Sequence, residues 1–453
     1  MHAYTAGRMT RGAPLLALTA ALVLSIAACD HLLNVDAPSR VPADLIEEPQ
    51  YAQVLVNGAV SDFDCAAGSY AVMSGEMTDE LEDATLTAAR WVYDQRSVLS
   101  SETRYALNDC DAEGVYTPLN KARESADHVR MLLQGWTDAD VPGRAALMAT
   151  MAAYGAYSRM LLGEMFCSSV ISYIDADHNI VYGAELTPTQ MLQSADSMFS
   201  IAIQEAQAAN VDSITNLALV GRARTRLDLG READALADAQ QVPAGFTYVS
   251  TASTTTGRRN NRVYDESNVK SVSSSVAPEF QNVTYNGKPD PRVKAVATGD
   301  TSTTGVIEWA QLKYQSASDP IVIASYNEAQ LMVAEGDVAA GNPGAAVTII
   351  DNLHAAAGLD PYSGPTDAAS VMNQVITERS RELWLTGARM GDVRRYHLAL
   401  SPAPGTAFRN GGVYGPDGST GVAPGTPVGI NNDPGQFCLK LPDAERQANP
   451  NIP

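Results

Sequence analysis

The chain contains one stretch that decides its fold, residues 376–396, which reads Ile-Thr-Glu-Arg-Ser-Arg-Glu-Leu-Trp-Leu-Thr-Gly-Ala-Arg-Met-Gly-Asp-Val-Arg-Arg-Tyr. The pattern predicts the end of one helix, a glycine stop and the start of a second helix. Asp367 is suited to cap the first helix, and Gly387 can take the left-handed conformation that follows a helix end. Apolar residues at helical spacing give the first helix a buried face: Met372, Val375, Ile376 and Leu383.

Eight charged side chains of both signs surround this apolar face: Glu378, Arg379, Arg381, Glu382, Arg389, Asp392, Arg394 and Arg395. One interpretation is a functional charged site, such as an anion clamp. The other is a structural network of ion pairs that fixes the two helices, partly through arginine–carboxylate pairs across the turn. Because paired charges more often stabilise a fold than react, we favour the network. We assign six members to it: Glu378, Arg379, Glu382, Arg389, Asp392 and Arg395.

These residues follow the pattern Glu-Arg-x-x-Glu-Leu-x-x-x-Gly-x-Arg-x-x-Asp-x-x-Arg, which resembles the C-terminal core motif of the SusD/RagB family. Members of that family are surface lipoproteins that deliver nutrients to TonB-dependent transporters. The chain departs from the family pattern at Thr386, where an acidic residue is common, and at Met390 and Gly391, where aromatic residues are common. Because the motif is structural in the family, the resemblance implies the fold and says little about the ligand.

Further motifs extend the resemblance over nearly the whole mature chain, and they occur in the same order along the sequence as in the family. The helix predicted over residues 142–165 is similar to the family's long early helix, and Asp290-Pro291-Arg292 resembles a tripeptide that precedes its C-terminal region. Residues 325–359 are similar to its helix pair that ends in Ala-Gly-Leu. The tail resembles the closing Pro-x-x-Glu and Asn-Pro-Asn of the family, which begin here at Pro442 and Asn449.

The first 28 residues have the features of a signal peptide that ends in a lipobox. Arg8 and Arg11 form a basic segment, and the apolar residues 15–26 are too few to span a bilayer as a stable helix. The lipobox Ile26-Ala27-Ala28-Cys29 follows, so we expect Cys29 to be acylated and to anchor the mature protein to a membrane. We divide the chain into four parts: the signal peptide 1–28, a tether 29–49, an N-terminal SusD-like helical region 50–245, and a C-terminal SusD/RagB region with loop insertions 246–453.

The composition excludes two classes of partner. A net charge of −21 and a pI near 4.6 argue against binding to nucleic acid and against electrostatic docking on anionic lipid. A hydrophobic content of 45% over 453 residues is ample for a packed core, in one large domain or two interlocked domains.

The fold class that we predict is mostly α, a tetratricopeptide-like helical superhelix with long irregular loops and a few short strands. Two helix hairpins, residues 216–241 and 325–357, have alanines that face each other across a glycine turn, as in tetratricopeptide-like pairs. Residues 247–304 and 402–434 lack helical periodicity and predict the loops. Further helices are expected at four places: residues 50–60, 116–134, 142–165 and 187–209.

Four cysteines follow the lipobox: Cys65, Cys110, Cys167 and Cys438. In an exported protein they can form disulfides, and four cysteines allow three pairings that the sequence does not rank. Their spacing is unlike that of a zinc site.

Two acidic clusters each have two interpretations. Residues 76–83 carry five carboxylates, which predict a solvated face, with a cation site as the alternative. Asp109, Asp111 and Glu113 resemble the opening of a calcium loop, but Asn120 stands where such a loop needs a bidentate glutamate. We therefore assign no metal ion and no cofactor, and we keep calcium at this loop as an alternative.

The sequence lacks the motifs of known hydrolytic sites. Gly-x-Ser-x-Gly and His-Glu-x-x-His are both absent, and the histidines are scattered. We therefore predict that the protein is not an enzyme.

Aromatic residues are the better indication of a ligand. Trp91 and Tyr93 lie in a polar segment between helices, and Trp309 and Tyr314 lie in the loop-rich region. Sugar rings stack on such side chains, while polar side chains bind the hydroxyls. The sugar-binding members of the family use aromatics from comparable regions of both halves, so these four residues are our candidate ligand site, with packing residues as the alternative.

The prediction that combines these observations is a lipid-anchored, surface-exposed protein of the cell outer membrane. The resemblance implies that it captures an oligomeric nutrient, for which we favour a glycan, and delivers it to a SusC-like TonB-dependent β-barrel transporter. A standalone helical-repeat scaffold that binds protein partners is the alternative. A surface hydrolase is a third hypothesis, which the missing catalytic motifs oppose.

Overall fold

The structure is a computed structural model, and it describes residues 46–175, 177–420 and 437–452. The described elements from Pro49 onward belong to one compact unit. Both predicted regions, 50–245 and 246–453, contribute helices to this unit. None of its described helices is long and apolar enough to cross a membrane.

Helices dominate the described part of the chain: α1 (Ala52–Met77), α2 (Ala88–Asp94), α3 (Tyr116–Gly135), α4 (Arg144–Met165), α5 (Pro188–Ala208), α6 (Asp212–Asp228), α7 (Glu232–Ala239), α8 (Arg262–Glu266), α9 (Tyr326–Ala339), α10 (Pro343–Ala357), α11 (Ala368–Glu382), α12 (Arg389–Arg395) and α13 (Asp443–Ala448). The prediction of a mostly α fold with a few short strands is confirmed. The first helix was predicted over residues 50–60 only, but it continues to Met77 because its C-terminal part is buried on all sides.

Local capping signals set several helix ends as the sequence predicts. The Asp367 carboxylate accepts a hydrogen bond from the Ser370 amide at 3.0 Å at the start of α11. Thr187 and Gln190 form a reciprocal capping box at the start of α5. Gly387, between α11 and α12, has a φ of +91°, the left-handed conformation that glycine adopts without strain.

The two predicted helix hairpins pack against each other. The first is α6–α7 and the second α9–α10, with Gly230 and Gly341 at positive φ in the turns. At the place where α7 meets α9, a Cβ added to Gly336 would lie 3.1 Å from the Leu236 Cβ. This close approach continues the helical stack from the N-terminal region into the C-terminal region.

The strands are short and form two-stranded antiparallel pairs: β1 (Leu81–Asp83), β2 (Ser169–Val170), β3 (Tyr173–Ile174), β4 (Ile180–Val181), β5 (Glu185–Leu186), β6 (Thr247–Ser250), β7 (Ser267–Asn268), β8 (Ser271–Val272), β9 (Ser274–Val276), β10 (Thr284–Tyr285), β11 (Lys288–Pro289), β12 (Ala295–Thr301), β13 (Ile307–Gln311) and β14 (Ile321–Ser325). Two of the pairs, β1–β9 and β6–β14, join segments that are distant in the sequence. They attach the loop-rich region to the helical stack.

Two disulfides add covalent links between distant segments. Cys65 on α1 is bonded to Cys110, and Cys167, just after α4, is bonded to Cys438. The structure therefore selects one of the three pairings that the sequence left open.

Candidate functional site

Trp91 is held at the surface by turns that follow β1. The Asp83 Oδ1 accepts a hydrogen bond from the Thr85 amide at 2.8 Å, and the Thr85 hydroxyl oxygen accepts one from the Thr87 amide at 3.1 Å. These side-chain turns bend the chain from β1 into α2. The Trp91 Nε1 donates to the Thr85 carbonyl at 2.9 Å, so the polar edge of the indole is satisfied and the ring is partly exposed.

Trp309 is the second half-buried indole of the candidate site, and it lies on β13. Its amide donates a hydrogen bond to the Ser275 hydroxyl at 3.0 Å, which attaches β13 to β9. One side of the ring packs against the apolar cluster that contains Phe280 and Trp384. Ile307, two residues earlier on the same face of β13, is 63% exposed.

The β1–β9 ladder joins the two tryptophans. Glu82 of β1 is paired with Ser275 of β9, the residue that holds the Trp309 amide. The Ala84 amide, next to the residue that holds Trp91, donates to the Ser273 carbonyl at 2.8 Å. The structure therefore attaches Trp91, from the N-terminal half, and Trp309, from the C-terminal half, to one short ladder.

The two candidate tyrosines lie in the interior instead. Tyr93 is fully buried, and Tyr314 is 5% exposed, with its hydroxyl donating to the Leu385 carbonyl at 3.0 Å. Neither ring offers a face to a ligand in this conformation. Their positions in the sequence do not show which side of each segment faces the core.

The prediction of a solvated acidic face at residues 76–83 is wrong. Four of its five carboxylates are buried: Glu76, Asp79, Glu80 and Asp83. The tertiary fold covers them with β9, α8 and the loop before α3, which are far away in the sequence. Most of these carboxylates are stabilised by arginines rather than by water.

One arginine, Arg90, organises the largest part of this buried cluster. Its guanidinium lies within 3.1 Å of carboxylate oxygens of four residues: Glu76, Asp83, Glu113 and Glu266. Burial raises the pKa of Glu76 to about 8, although the charge of Arg90 opposes the shift. Because Arg90 directly precedes Trp91, the same contacts fix the position of α2. This cluster has no local signal in the sequence, since Arg90 and its four carboxylate partners come from five separate segments.

The turn between α11 and α12 is attached to the same region. The Glu80 Oε1 accepts a hydrogen bond from the Leu385 amide at 3.0 Å, and the Lys313 ammonium donates to the Trp384 carbonyl. Burial raises the pKa of Glu80 to about 8 and lowers the pKa of Lys313 to about 8. These contacts connect β1 and the segment after β13 to the stretch that decides the fold.

All six residues of the predicted ion-pair network form ion pairs in the structure. The Arg379 Nη2 lies 2.8 Å from the Asp392 Oδ1, an ion pair that closes the turn between α11 and α12. Arg395 also pairs with Asp392 at 3.4 Å. Further contacts reach outside the motif: Arg395 to Asp228 and Glu335, Arg389 to Asp79, Glu378 to Arg292 and His354, and Glu382 to Arg292. Burial alone would raise the pKa of Glu378, but the hydrogen bond from His354 and the charge of Arg292 hold it below its usual value.

The structure does not assemble the calcium alternative. Glu113 is turned inward to Arg90 at 2.9 Å, and the Asp109 Oδ1 accepts a hydrogen bond from the Asp111 amide at 3.2 Å. In residues 46–175, 177–420 and 437–452 there is no group of three or more His, Cys, Asp or Glu side chains that could hold a metal ion. Cys29, the predicted site of lipidation, lies outside the described residues.

A comparison with protein families matches residues 247–451 to the model of the SusD family. The match covers the C-terminal region that carries the motif between α11 and α12. No curated protein sequence matches the chain significantly.

Solved structures extend the likeness to most of the chain. A SusD superfamily protein from Bacteroides vulgatus aligns with a TM-score of 0.68 at 12% identity, over 90% of this chain and 98% of its own. A SusD-like carbohydrate binding protein from the same organism aligns with a TM-score of 0.62 at 13% identity, over 89% and 97%. A SusD superfamily protein from Parabacteroides distasonis gives 0.60 at 14% identity, over 91% and 99%. At these identities the structures show a common fold and nothing further.

Proposed function

We propose that this protein binds an oligosaccharide at the surface that carries Trp91 and Trp309, because residues 247–451 match the SusD family model and the fold is that of SusD superfamily structures. The observation that carries the proposal is that two half-buried indoles, one from each half of the chain, are attached to the β1–β9 ladder. A structural relative described as a carbohydrate binding protein supports the ligand class. The proposed activity is binding, without a covalent step.

The residues around the two indoles suit the faces of sugar rings. Leu86 and Ile307 are 64% and 63% exposed; Leu86 follows Thr85, which holds the Trp91 ring, and Ile307 lies two residues before Trp309 on β13. We call Leu86, Trp91, Ile307 and Trp309 the tryptophan patch. The Trp91 Nε1 is already engaged by the Thr85 carbonyl, so this ring contributes its face and not a hydrogen bond. The C–H face of a sugar can stack there at little cost, because each aromatic ring is already held in place.

We further propose that the protein delivers the bound oligosaccharide to a transporter in the membrane to which it is anchored. We propose that Cys29 carries a lipid that anchors the protein at the outer membrane, and that the ligand passes to a TonB-dependent barrel. The lipobox before Cys29 supports the anchor, and the match of residues 247–451 to the SusD family model supports the transporter as partner. The stacked hairpins α6–α7 and α9–α10 favour a second candidate, a scaffold that binds other proteins.

Native gel electrophoresis in the presence of polysaccharide tests the binding step. The mature protein would be run in gels that contain soluble starch, xylan, pectic galactan or polygalacturonate, and its retardation would be compared with a gel without polysaccharide. We expect retardation by at least one neutral polysaccharide and a loss of about tenfold or more in apparent affinity for Trp91→Ala and Trp309→Ala, because stacking and area burial on an aromatic anchor are each lost.

Trp136→Ala is the matched control, since Trp136 is a partly buried indole at the end of α3, and it should be retarded like the wild type. A wild-type protein that no polysaccharide retards would contradict the proposal. Equal retardation of the wild type and both tryptophan variants would show that binding occurs elsewhere.

Affinity purification of the lipidated protein from gently solubilised native membranes tests the delivery step. We expect a large TonB-dependent barrel in near-equal amount, and loss of this partner in a Cys29→Ala variant that cannot be acylated. Recovery of soluble proteins alone would favour the scaffold instead.

A further inference from the structure

An open cavity of about 390 Å³ lies between α11 and the loop that follows β9. Its walls include the side chains of Glu279, Ile376, Thr377, Ser380, Arg381 and Leu398. Asp79 and Arg389 also reach the cavity, but they neutralise each other through two hydrogen bonds of 2.6 and 2.7 Å. The unpaired charges that remain are those of Arg381 and Glu279.

Arg381 differs from the other charged residues of the stretch that decides the fold. Within the described part of the chain it has no hydrogen-bond acceptor and no carboxylate within ion-pair distance. Its guanidinium instead stacks on Phe280, 5.1 Å from the ring centroid, and Phe280 stacks in turn on Trp384 at 6.2 Å. Stacking fixes the plane of the guanidinium and leaves its N–H groups available to a ligand.

Acceptors lie in the same walls. The partly exposed Glu279 carboxylate has no hydrogen bond or ion pair to the described residues. The Ser380 and Thr377 hydroxyls donate to helix carbonyls at 2.7 and 2.9 Å, so their oxygens can still accept. The cavity thus offers unused donors, unused acceptors and the apolar side chains of Ile376 and Leu398, and its charges balance.

We propose that this cavity is a second carbohydrate subsite, which binds the hydroxyl groups of a neutral sugar residue through Arg381 and Glu279. A neutral polyhydroxyl ligand matches the lining, because each hydroxyl both donates and accepts, whereas Glu279 repels an anion. The inference rests on the proposed function, since it assigns a further contact for the same oligosaccharide.

The subsite is within reach of the tryptophan patch. Ser275 holds the Trp309 amide, and Glu279 follows it by four residues, which span at most about 14 Å of extended backbone. An oligosaccharide bound on Trp309 can therefore extend to the cavity. A single chain of sugars that contacts both places binds more tightly than either contact allows.

The same affinity gels test the subsite with Arg381→Ala and Glu279→Gln. We expect each variant to raise the apparent Kd for the retarding neutral polysaccharide at least about fivefold, as the loss of hydrogen bonds to a charged group does. Arg231→Ala is the control for the change in net charge, because Arg231 is an exposed arginine at the start of α7, and it should behave like the wild type. Since Arg381 packs on Phe280, a thermal melt must show that Arg381→Ala is folded; Glu279→Gln removes no contact between described residues.

The outcomes separate the two proposals. If no gel retards the wild type, both the subsite and the proposed function are refuted. If the wild type is retarded and depends on Trp91 or Trp309, while Arg381→Ala and Glu279→Gln match it, only the subsite is refuted. If polygalacturonate is bound best and Glu279→Gln tightens that binding, the cavity holds an anion, and a neutral-sugar subsite is overturned.

Discussion

Replacement of Arg90 by alanine tests whether the buried acidic cluster depends on one cation. The side chain of Arg90 is 11% exposed, and the four carboxylates around it are at most 12% exposed. Arg90→Ala leaves these carboxylates together without their common partner. Removal of one member of a buried ion pair costs about 3–5 kcal/mol, so we expect the free energy of unfolding to fall by at least that amount.

The expected change in melting temperature follows from the size of the folded unit. With about 400 residues at about 2.1 cal/mol/K each, the entropy of unfolding is about 0.85 kcal/mol/K. A loss of 3–5 kcal/mol therefore lowers Tm by about 4–6 °C, which differential scanning calorimetry at pH 7 measures. Arg231→Ala is the control, because Arg231 and its partner Asp234 are 41% and 51% exposed, and its other partner Asp196 keeps an ion pair with Arg226. Exposed pairs contribute about 0–1 kcal/mol, so its Tm should fall by at most about 1 °C.

The pH dependence provides a second check on the same cluster. Burial raises the pKa of Glu76, Asp83 and Glu113 in the folded state, and without the opposing charge of Arg90 each rises further above its value in the unfolded chain. Carboxylates with a raised folded-state pKa hold protons that the unfolded chain releases, so the stability that they contribute is lost as pH rises. The difference in Tm between the wild type and Arg90→Ala should therefore be larger at pH 8 than at pH 5. A Tm within 1 °C of the Arg231→Ala control, or an equal difference at both pH values, would refute this account.

Two further substitutions test separate features of the same region. Burial raises the pKa of Glu80 to about 8 from a usual value of 4.5, so the contribution of Glu80 to stability is lost as pH rises between those values. Glu80→Gln keeps the acceptor for the Leu385 amide, and it should raise Tm at pH 8 but not at pH 4.5. A lower Tm of this variant at pH 8 would contradict the prediction. Gly387 has a φ of +91°, and a Cβ there would lie 2.8 Å from the Tyr70 Cδ1, so Gly387→Ala should lower Tm by about 2 °C or more in thermal melts. Gly135→Ala, where a Cβ meets no atom within 4 Å, is its control and should leave Tm nearly unchanged.

Helix-capping and turn rules predict correctly the helix ends and turns, because these features depend on a few neighbouring residues. Asp367 caps α11 through an amide three residues away, and Gly387 is left-handed because the chain turns there. The same holds for the turns of the two helix hairpins. A short stretch of sequence contains everything that these features require.

The features that the sequence did not predict depend on distant segments. Residues 76–83 look solvated because nothing in their own pattern requires burial, and the contact of Glu76 with Arg90 and Ser274 forms only after α2 and β9 have packed on α1. Tyr93 and Tyr314 are buried for a similar reason, since a polar neighbourhood in the sequence does not show which face of a segment the fold covers. The disulfide of Cys167 with Cys438 spans 271 residues and has no local signal.

The stretch that decides the fold also positions the tryptophan patch. Leu385, in the turn before Gly387, has a φ of +54°, which is unfavourable for a leucine. The conformation persists because both polar groups of its backbone are bound: the amide donates to Glu80, directly before β1, and the carbonyl accepts from Tyr314, just after β13. Since Trp91 follows β1 and Trp309 lies on β13, this residue adds a second link, beside the β1–β9 ladder, between the segments that carry the two indoles. The stretch that decides the fold therefore also contributes to the geometry of the proposed binding surface.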